Sequence, residues 1–204
     1  MSSVPVLRQR GWSGLWSSTL AVIFPSLNSR EVWEREYARG AWDRIQADSE
    51  FGRYALVYGH ARRQARLPRV LDVGCGAGRL LSMLGEDRGE YVGLDLSAEA
   101  VDKARALNAD RASFQVGWAE DFQTDQRFDV IVFNEVLYYL RSPERVIEHY
   151  KRFLAPGGVI VISMFSVIWS RWIWFKLGRK FRFTHQERVS NQLGHTWDVR
   201  VIEP

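Results

Sequence analysis

The stretch RVLDVGCGAGRLL, Arg69 to Leu81, constrains this chain more than any other. An apolar run of strand character breaks at Gly74, three glycines follow within five residues, and an apolar helical pattern resumes behind them. Glycines placed so let the backbone come close to a ligand, and the start of the next helix turns its unpaired N–H groups toward it. A strand, a glycine turn and a helix in that order open a parallel α/β sheet.

The rest of the chain repeats the unit. EYVGLDL reads as a second strand, Ser97 as the cap of the helix AEAVDKARALN, ASFQVGWA as a third strand and FDVIVFNE as a fourth. Pro143 stands just inside the helix PERVIEHYKRFL, where a missing N–H costs least. PGG then turns the chain into a fifth strand, VIVISMF. Strands that are apolar on both faces and joined through helices predict a doubly wound, mostly parallel sheet covered on both sides. ERVSNQ and TWDVRVI flank LGH as a closing hairpin, giving seven strands with the last antiparallel. Before this core, Asn28 and Glu31 have the spacing of a capping box ahead of a helix that stops near Gly40. A second helix starts near Ser49 with Phe51, Tyr54, Ala55 and Tyr58 on one face.

With 204 residues, 46% of them hydrophobic, the chain is one domain's worth of globular protein. The expected organisation is an arm over 1–27 and one domain over 28–204. Within that domain, cap helices span 28–68, the ligand-binding core 69–165, and a Trp-rich helix with the hairpin 166–204. Cys75 is the sole cysteine, which excludes an internal disulfide and a cysteine-based zinc site and fits a reducing, cytoplasmic setting. No metal is assigned. The apolar part of the arm is broken by serines and Pro25, so it reads as a surface or membrane-touching segment, far from a spanning helix.

Spacing separates the candidate ligands. A dinucleotide fingerprint needs G-x-G-x-x-G, whereas Gly74, Gly76 and Gly78 make G-x-G-x-G, with Arg79 where the third glycine would fall. Asp95 closes the second strand twenty-one positions after Gly74, suited to accept hydrogen bonds from both hydroxyls of a ribose.

VLDVGCGAG, VGLDLS, VGWAEDF, FDVIVFNEVLYYL and LAPGGVIVISMF together resemble the class I S-adenosylmethionine-dependent methyltransferases, of the type acting on small molecules. The resemblance implies a Rossmann-like fold and S-adenosyl-L-methionine as cofactor. It places Asp72, Gly74 and Gly76 around the methionine end, Cys75 and Gly78 on the cofactor with them, Asp95 on the ribose and Leu96 against the adenine. Ala119, Glu120 and Asp121 would border the adenine edge, and Asn134 the sulfonium side. Trp118 stands where an acid is common, so it either stacks on the adenine or joins the core.

The acceptor side departs from the better-marked relatives. NEVL replaces the N/D-P-P-Y/F of DNA amino-methyltransferases, and EVLYYL replaces the EVLEHL that carries a histidine in small-molecule O-methyltransferases. The candidate catalytic groups are therefore Tyr139 and the tail histidines His185 and His195. Trp33, Tyr37, Arg53 and Tyr138 are candidates for an acceptor pocket and lid, as are Trp169 and Trp172. The last two belong to FSVIWSRWIWFKLGRKFRF, whose apolar residues nearly encircle a helix. A lipophilic acceptor or lipid surface, plain core and a homodimer interface all remain open for it.

The function expected is methyl transfer to oxygen or nitrogen of a small metabolite, one that a lipophilic pocket would suit, in the cytoplasm with peripheral membrane contact as an option. Nucleic acid is a disfavoured partner because no RNA-binding module accompanies the core. The alternatives are an RNA methyltransferase of the same fold and a non-catalytic cofactor-binding subunit.

Overall fold

A computed structural model describes residues 29–40, 42 and 50–203. The arm over 1–27, Asn28 and Ser49 lie outside the described residues. The chain order is α1 (Arg30–Ala38), α2 (Phe51–Gln64), β1 (Val70–Val73), α3 (Arg79–Leu84), β2 (Tyr91–Asp95), α4 (Ala98–Arg105), β3 (Ala112–Val116), β4 (Phe128–Asn134), α5 (Pro143–Lys151), β5 (Leu154–Phe165), α6 (Ile168–Gly178), β6 (Phe183–Ser190) and β7 (Thr196–Ile202). Short 3-10 turns stand at Ala119–Asp121 and Leu137–Tyr139.

The strands form one sheet in the order β3-β2-β1-β4-β5-β7-β6. β1 to β5 are parallel, and β7 runs antiparallel to both β5 and β6. The expected doubly wound sheet is therefore present. Val70, Val130, Val132, Val161 and Val199 pack on one face with α2 and α3, and Leu71, Phe133, Ile160, Ile162 and Met164 on the other with α5 and α6. Every residue of β1 is buried, as its unbroken apolar character requires. The order reverses between β1 and β4, and their carboxyl ends open the crevice in which such sheets bind ligands.

Four local expectations are corrected. The cap of α1 is Ser29, whose Oγ accepts the N–H of Val32 at 3.4 Å. The buried face of α2 is Arg53, Tyr54, Val57, His60 and Ala61, while Phe51 is exposed. A purely apolar template misses it because Arg53 and His60 are buried on side-chain partners. PGG is an irregularity inside β5 and no turn before it, since pairing steps from Phe128 with Leu154 to Val130 with Val159. A Cβ at Gly158 would meet three carbonyl oxygens within 3.1 Å, so the backbone passes there only without a side chain. β6 begins at Phe183, ahead of the expected ERVSNQ, because an exposed edge strand paired only with β7 carries no sustained apolar alternation.

Candidate functional site

The glycine loop sits where the topology puts it. Gly74 and Cys75 both donate to the carbonyl of Leu94, at 2.7 and 3.1 Å, which pulls the end of β1 toward the end of β2. Gly74 and Gly76 have φ of 74° and 53°, and a Cβ at Gly74 would lie 2.2 Å from Cγ2 of Val136. Gly78, at φ 81°, is pressed against Leu107 and Ala104 and serves the packing of α3 on α4. The side chain of Cys75 faces backward onto Gly93, its thiol pushed well up by burial, so only its backbone can meet a ligand.

Asp95 is held by the loop it serves. Its Oδ2 accepts the N–H of Gly76 at 2.8 Å and its Oδ1 that of Ser97 at 2.9 Å. Each oxygen keeps a further lone pair for a ligand. Burial raises its pKa to about 6 against the opposing pull of those N–H groups. Asp72 lies under the loop with Oδ2 bonded to the hydroxyl of Tyr91 at 2.6 Å and Oδ1 buried without a partner. Its carboxyl is pushed up to about 7 by burial, which the Tyr91 bond opposes and the charge of Asp95 reinforces. Two buried acids, one with an orphaned oxygen, suit a ligand that carries positive charge and hydroxyls.

α1 lies across this crevice. On one side Glu34 caps the amino end of α4, accepting from Ser97 Oγ, Ala98 N and Glu99 N at 2.9, 2.7 and 3.1 Å. On the other, the ring of Trp33 meets that of Tyr139 edge-on at 4.8 Å and stacks with Trp42 at 5.4 Å. The hydroxyl of Tyr37 reaches the glycine loop, 2.9 Å from where a Cβ of Gly76 would stand. Trp33, Tyr37 and Tyr139 are thus brought together over the loop.

The carboxyl end of β4 carries a buried polar cluster. Arg53, 1% exposed, hydrogen-bonds Oδ1 of Asn134 and pairs with Oε2 of Glu50 at 2.9 Å. Its guanidinium lies 5.7 Å from the ring of Trp197. Glu135 holds φ of 66°, unusual for a residue with a side chain, and accepts the hydroxyl of Tyr138 at 2.5 Å. Its Oε1 is buried with no well-formed hydrogen bond, and the side chain of Trp197 comes near enough to the carboxylate to favour its charge. Burial raises its pKa, and the charge of Arg53 opposes that rise. Tyr138 belongs to the core cluster and reaches the site only through its hydroxyl.

The remaining sequence candidates divide. His195 stands at the crevice end of the sheet, its ring 5.7 Å from Phe165 and 6.1 Å from Trp197. His185 does not join the site. It pairs with Val201 down the edge strand β6, three strands away from β4, and packs on His60 at 5.3 Å. Trp169 and Trp172 point into solvent from α6 and are no part of the crevice lining. Leu96 is half-buried on the loop after Asp95, and Glu120 and Asp121 are exposed beyond β3. Trp118 is 37% exposed, so it does not join the core. Ala119 is fixed by its carbonyl, which accepts the hydroxyl of Tyr150 at 2.9 Å. Among the described residues no group of three or more acids, histidines or cysteines could hold a metal ion.

Sequence reasoning missed Glu34 and gave Glu135 no role. Nothing near Glu34 in the chain signals a cap on a helix more than sixty residues on, and Glu135, beside Asn134 at the end of the fourth strand near the sulfonium side, belongs to no spacing that marks a base.

The architecture is shared with solved methyltransferase structures. The chain superposes on the N-methyltransferase NodS from Bradyrhizobium japonicum WM9, in complex with S-adenosyl-L-homocysteine, with a TM-score of 0.73 and 22% identity, over 86% of this chain and 97% of that one. It superposes on magnesium protoporphyrin IX methyltransferase from Synechocystis PCC 6803, with bound SAM, with a TM-score of 0.66 and 15% identity, over 86% and 97%. These likenesses define the fold class. The methyltransferase-domain family profile matches residues 16–203, and the chain belongs to that family. It is 29% identical over 119 residues to the ubiquinone biosynthesis O-methyltransferase of Klebsiella pneumoniae subsp. pneumoniae, over 55% of this chain and 49% of that protein. It is 28% identical over 157 residues to the malonyl-(acyl-carrier protein) O-methyltransferase of Paenibacillus sp. (strain JDR-2), over 68% and 56%. The chain spans about half the length of these curated relatives.

Proposed function

We propose that the protein is an S-adenosylmethionine-dependent methyltransferase acting on an oxygen or nitrogen of a small metabolite. The observation that carries the reading is the cradle of Gly74, Gly76 and Asp95, with the orphaned Oδ1 of Asp72 beneath it. Family membership supports the reaction class. The O-methyltransferase and N-methyltransferase names of the similar proteins support oxygen or nitrogen as the receiving atom.

When bound, S-adenosylmethionine supplies a methyl group on a sulfonium that leaves as a neutral thioether. The carboxylate of Asp95 would hold the cofactor by accepting from its two ribose hydroxyls. Asp72, at the methionine end, meets positive charge with its unpartnered oxygen. Trp33 and Tyr37 close over the loop and exclude water, which an in-line displacement needs as much as alignment. The acceptor enters at the end of β4, where Glu135 Oε1 takes the proton that the acceptor oxygen or nitrogen gives up as its bond to carbon forms. Tyr138 holds that carboxylate through its hydroxyl, and the nearby charge of Arg53 favours its ionised form.

Titration calorimetry with S-adenosylmethionine, S-adenosylhomocysteine and NAD tests the cofactor. Asp95→Ala should weaken binding of the first two by about 1–3 kcal/mol through lost charged hydrogen bonds. Preferential binding of NAD would end the reading. Labelled S-adenosylmethionine with a metabolite extract then identifies the acceptor. Glu135→Gln should keep cofactor affinity and lose turnover, whereas unchanged turnover would remove Glu135 from the chemistry.

A further inference from the structure

One face of α6 is used neither by the core nor by the crevice. Ile168, Trp169, Trp172 and Phe175 are 72, 46, 55 and 55% exposed, while Ile173, Trp174 and Leu177 of the same helix are buried. At helical spacing the exposed four fall within an arc of about 120°, opposite the buried side. Trp172 and Phe175 stack at 5.5 Å, so the face is one continuous aromatic stripe. A stripe of this kind on a helix that is otherwise packed calls for something to cover it.

The charges beside the stripe say what. Toward α5, Lys176 and Lys180 are answered by Glu144 and Glu148 at 3.6 and 3.4 Å. Toward the β6–β7 hairpin lies a hollow of about 280 Å³ lined by Arg171, Trp174, Phe175, Arg188, Asp198 and Arg200. Asp198 is already committed to Arg188, at 2.8 Å to Nε and 2.7 Å to Nη2. One carboxylate therefore serves three guanidiniums. Arg200 lies over the rings of Trp174 and Phe183, 4.5 and 5.0 Å from their centroids, and burial lowers its pKa against the pull of Asp198. The hollow is short of negative charge and opens beside the aromatic stripe.

We infer that α6 docks the protein on an anionic phospholipid bilayer, the aromatic stripe entering the interface and the Arg171–Arg188–Arg200 hollow receiving a lipid phosphate. Indole and phenyl rings settle at the headgroup level and guanidiniums grip phosphate in bidentate fashion. A second copy of the chain is a poorer occupant, because a two-fold contact through this stripe would set its arginines against one another. The surface adjoins the crevice. α6 follows directly from β5, whose Ser163 pairs with Asn134, and it packs on the Leu137–Tyr139 turn.

Flotation of the full chain with vesicles of phosphatidylcholine alone, or with one-third phosphatidylglycerol, tests the inference at physiological ionic strength. The protein should float with the anionic vesicles and roughly tenfold less with the neutral ones, as juxtaposed basic groups add to apolar insertion. Trp172→Ser/Phe175→Ser and Arg171→Glu should each cut flotation by about tenfold, in keeping with lost insertion and lost phosphate attraction respectively. Their melting temperatures should match that of the parent, since all three positions are exposed. Absent flotation, or equal flotation of parent and variants, would overturn the inference. So would inorganic phosphate binding in the hollow without vesicle binding, which would make it a soluble-anion site. A dimer in light scattering that Trp172→Ser/Phe175→Ser dissolves would overturn it too, making the stripe an interface between copies.

Discussion

Nη1 of Arg53, on α2, donates to Oδ1 of Asn134 at the carboxyl end of β4, joining residues 81 apart in the chain. The contact ties a helix that precedes the sheet to the strand end where the acceptor is proposed to enter. Glu50, immediately before that helix, and the nearby charge of Glu135 complete the compensation of a guanidinium that is otherwise lost to solvent. The charge of Arg53 therefore opposes the rise that burial imposes on the Glu135 carboxyl.

Truncating Arg53 should be costly. Arg53→Ala leaves Glu50 without its ion pair and buried Glu135 without a nearby cation, and removing one side of a buried pair costs about 3–5 kcal/mol. Arg53→Met/Glu135→Gln removes both charges and should recover a large part of the loss while leaving the enzyme without turnover. Urea unfolding of the two single variants and the double variant measures the coupling, expected at about 1–3 kcal/mol. Additive effects would show that Arg53 and Glu135 do not stabilise one another.

The two acids under the glycine loop set the pH response of the ligand-free protein. Burial pushes the carboxyls of Asp72 and Asp95 up to about 7 and about 6, from the 3.8 of a free aspartate. Between roughly pH 4 and 7 the folded state thus holds more protons than the unfolded one, and unfolding free energy falls as pH rises through that window. Glu34 acts in the opposite sense: its pKa is lowered, since three donors at the start of α4 outweigh its partial desolvation, and its contribution is lost as pH falls below the ordinary carboxylate range. The melting temperature should climb from pH 8 to about 5 and drop below about 4. Asp72→Asn should raise it at pH 8 and flatten the upper part of the curve; an unaltered slope would show Asp72 to be ionised at neutral pH.

The parts of this site that were legible in the chain are those in which function is written in backbone. Gly74, Gly76 and Asp95 could be proposed from the chain because a turn that excludes a Cβ can be made by few residues, and because the distance from a first to a second strand end is fixed by one helix. The sheet was legible for a related reason, as Val70–Val73 and Phe128–Asn134 are apolar on both faces and fit only central strands. Glu34 was illegible because a cap offered from another helix leaves no spacing in the sequence. His185 was misplaced because a hairpin can carry a residue to either end of the sheet, and register is set by pairing with β7 that local composition does not encode. Trp169 and Trp172 failed as lid candidates through helical phase: the side chains that turn inward from α6 are those of Ile173, Trp174 and Leu177, with Trp172 on the far side.

The approach of Tyr37 to Gly76 can be separated from the strain of the loop by substitution. Gly76→Ala adds a methyl 2.9 Å from the tyrosine hydroxyl at φ of 53°, and the left-handed backbone alone costs about 1–2 kcal/mol. The hydroxyl is the far end of a side chain and can give way, so the second effect should fall on the lid rather than on folding. Gly76→Ala should lower stability by that amount and also weaken S-adenosylmethionine binding. Adding Tyr37→Phe should restore part of the affinity and none of the stability. Gly74→Ala is the control, because its Cβ would lie 2.2 Å from Val136 Cγ2 and the clash is with a branched side chain fixed at Cβ. There the partner is Val136→Ala, which should recover stability lost to the clash, whereas Tyr37→Phe should do nothing for it. Calorimetric affinities and urea midpoints for the five variants decide the matter: equal rescue of both glycine variants by Tyr37→Phe would mean that the lid does not rest on Gly76 in particular.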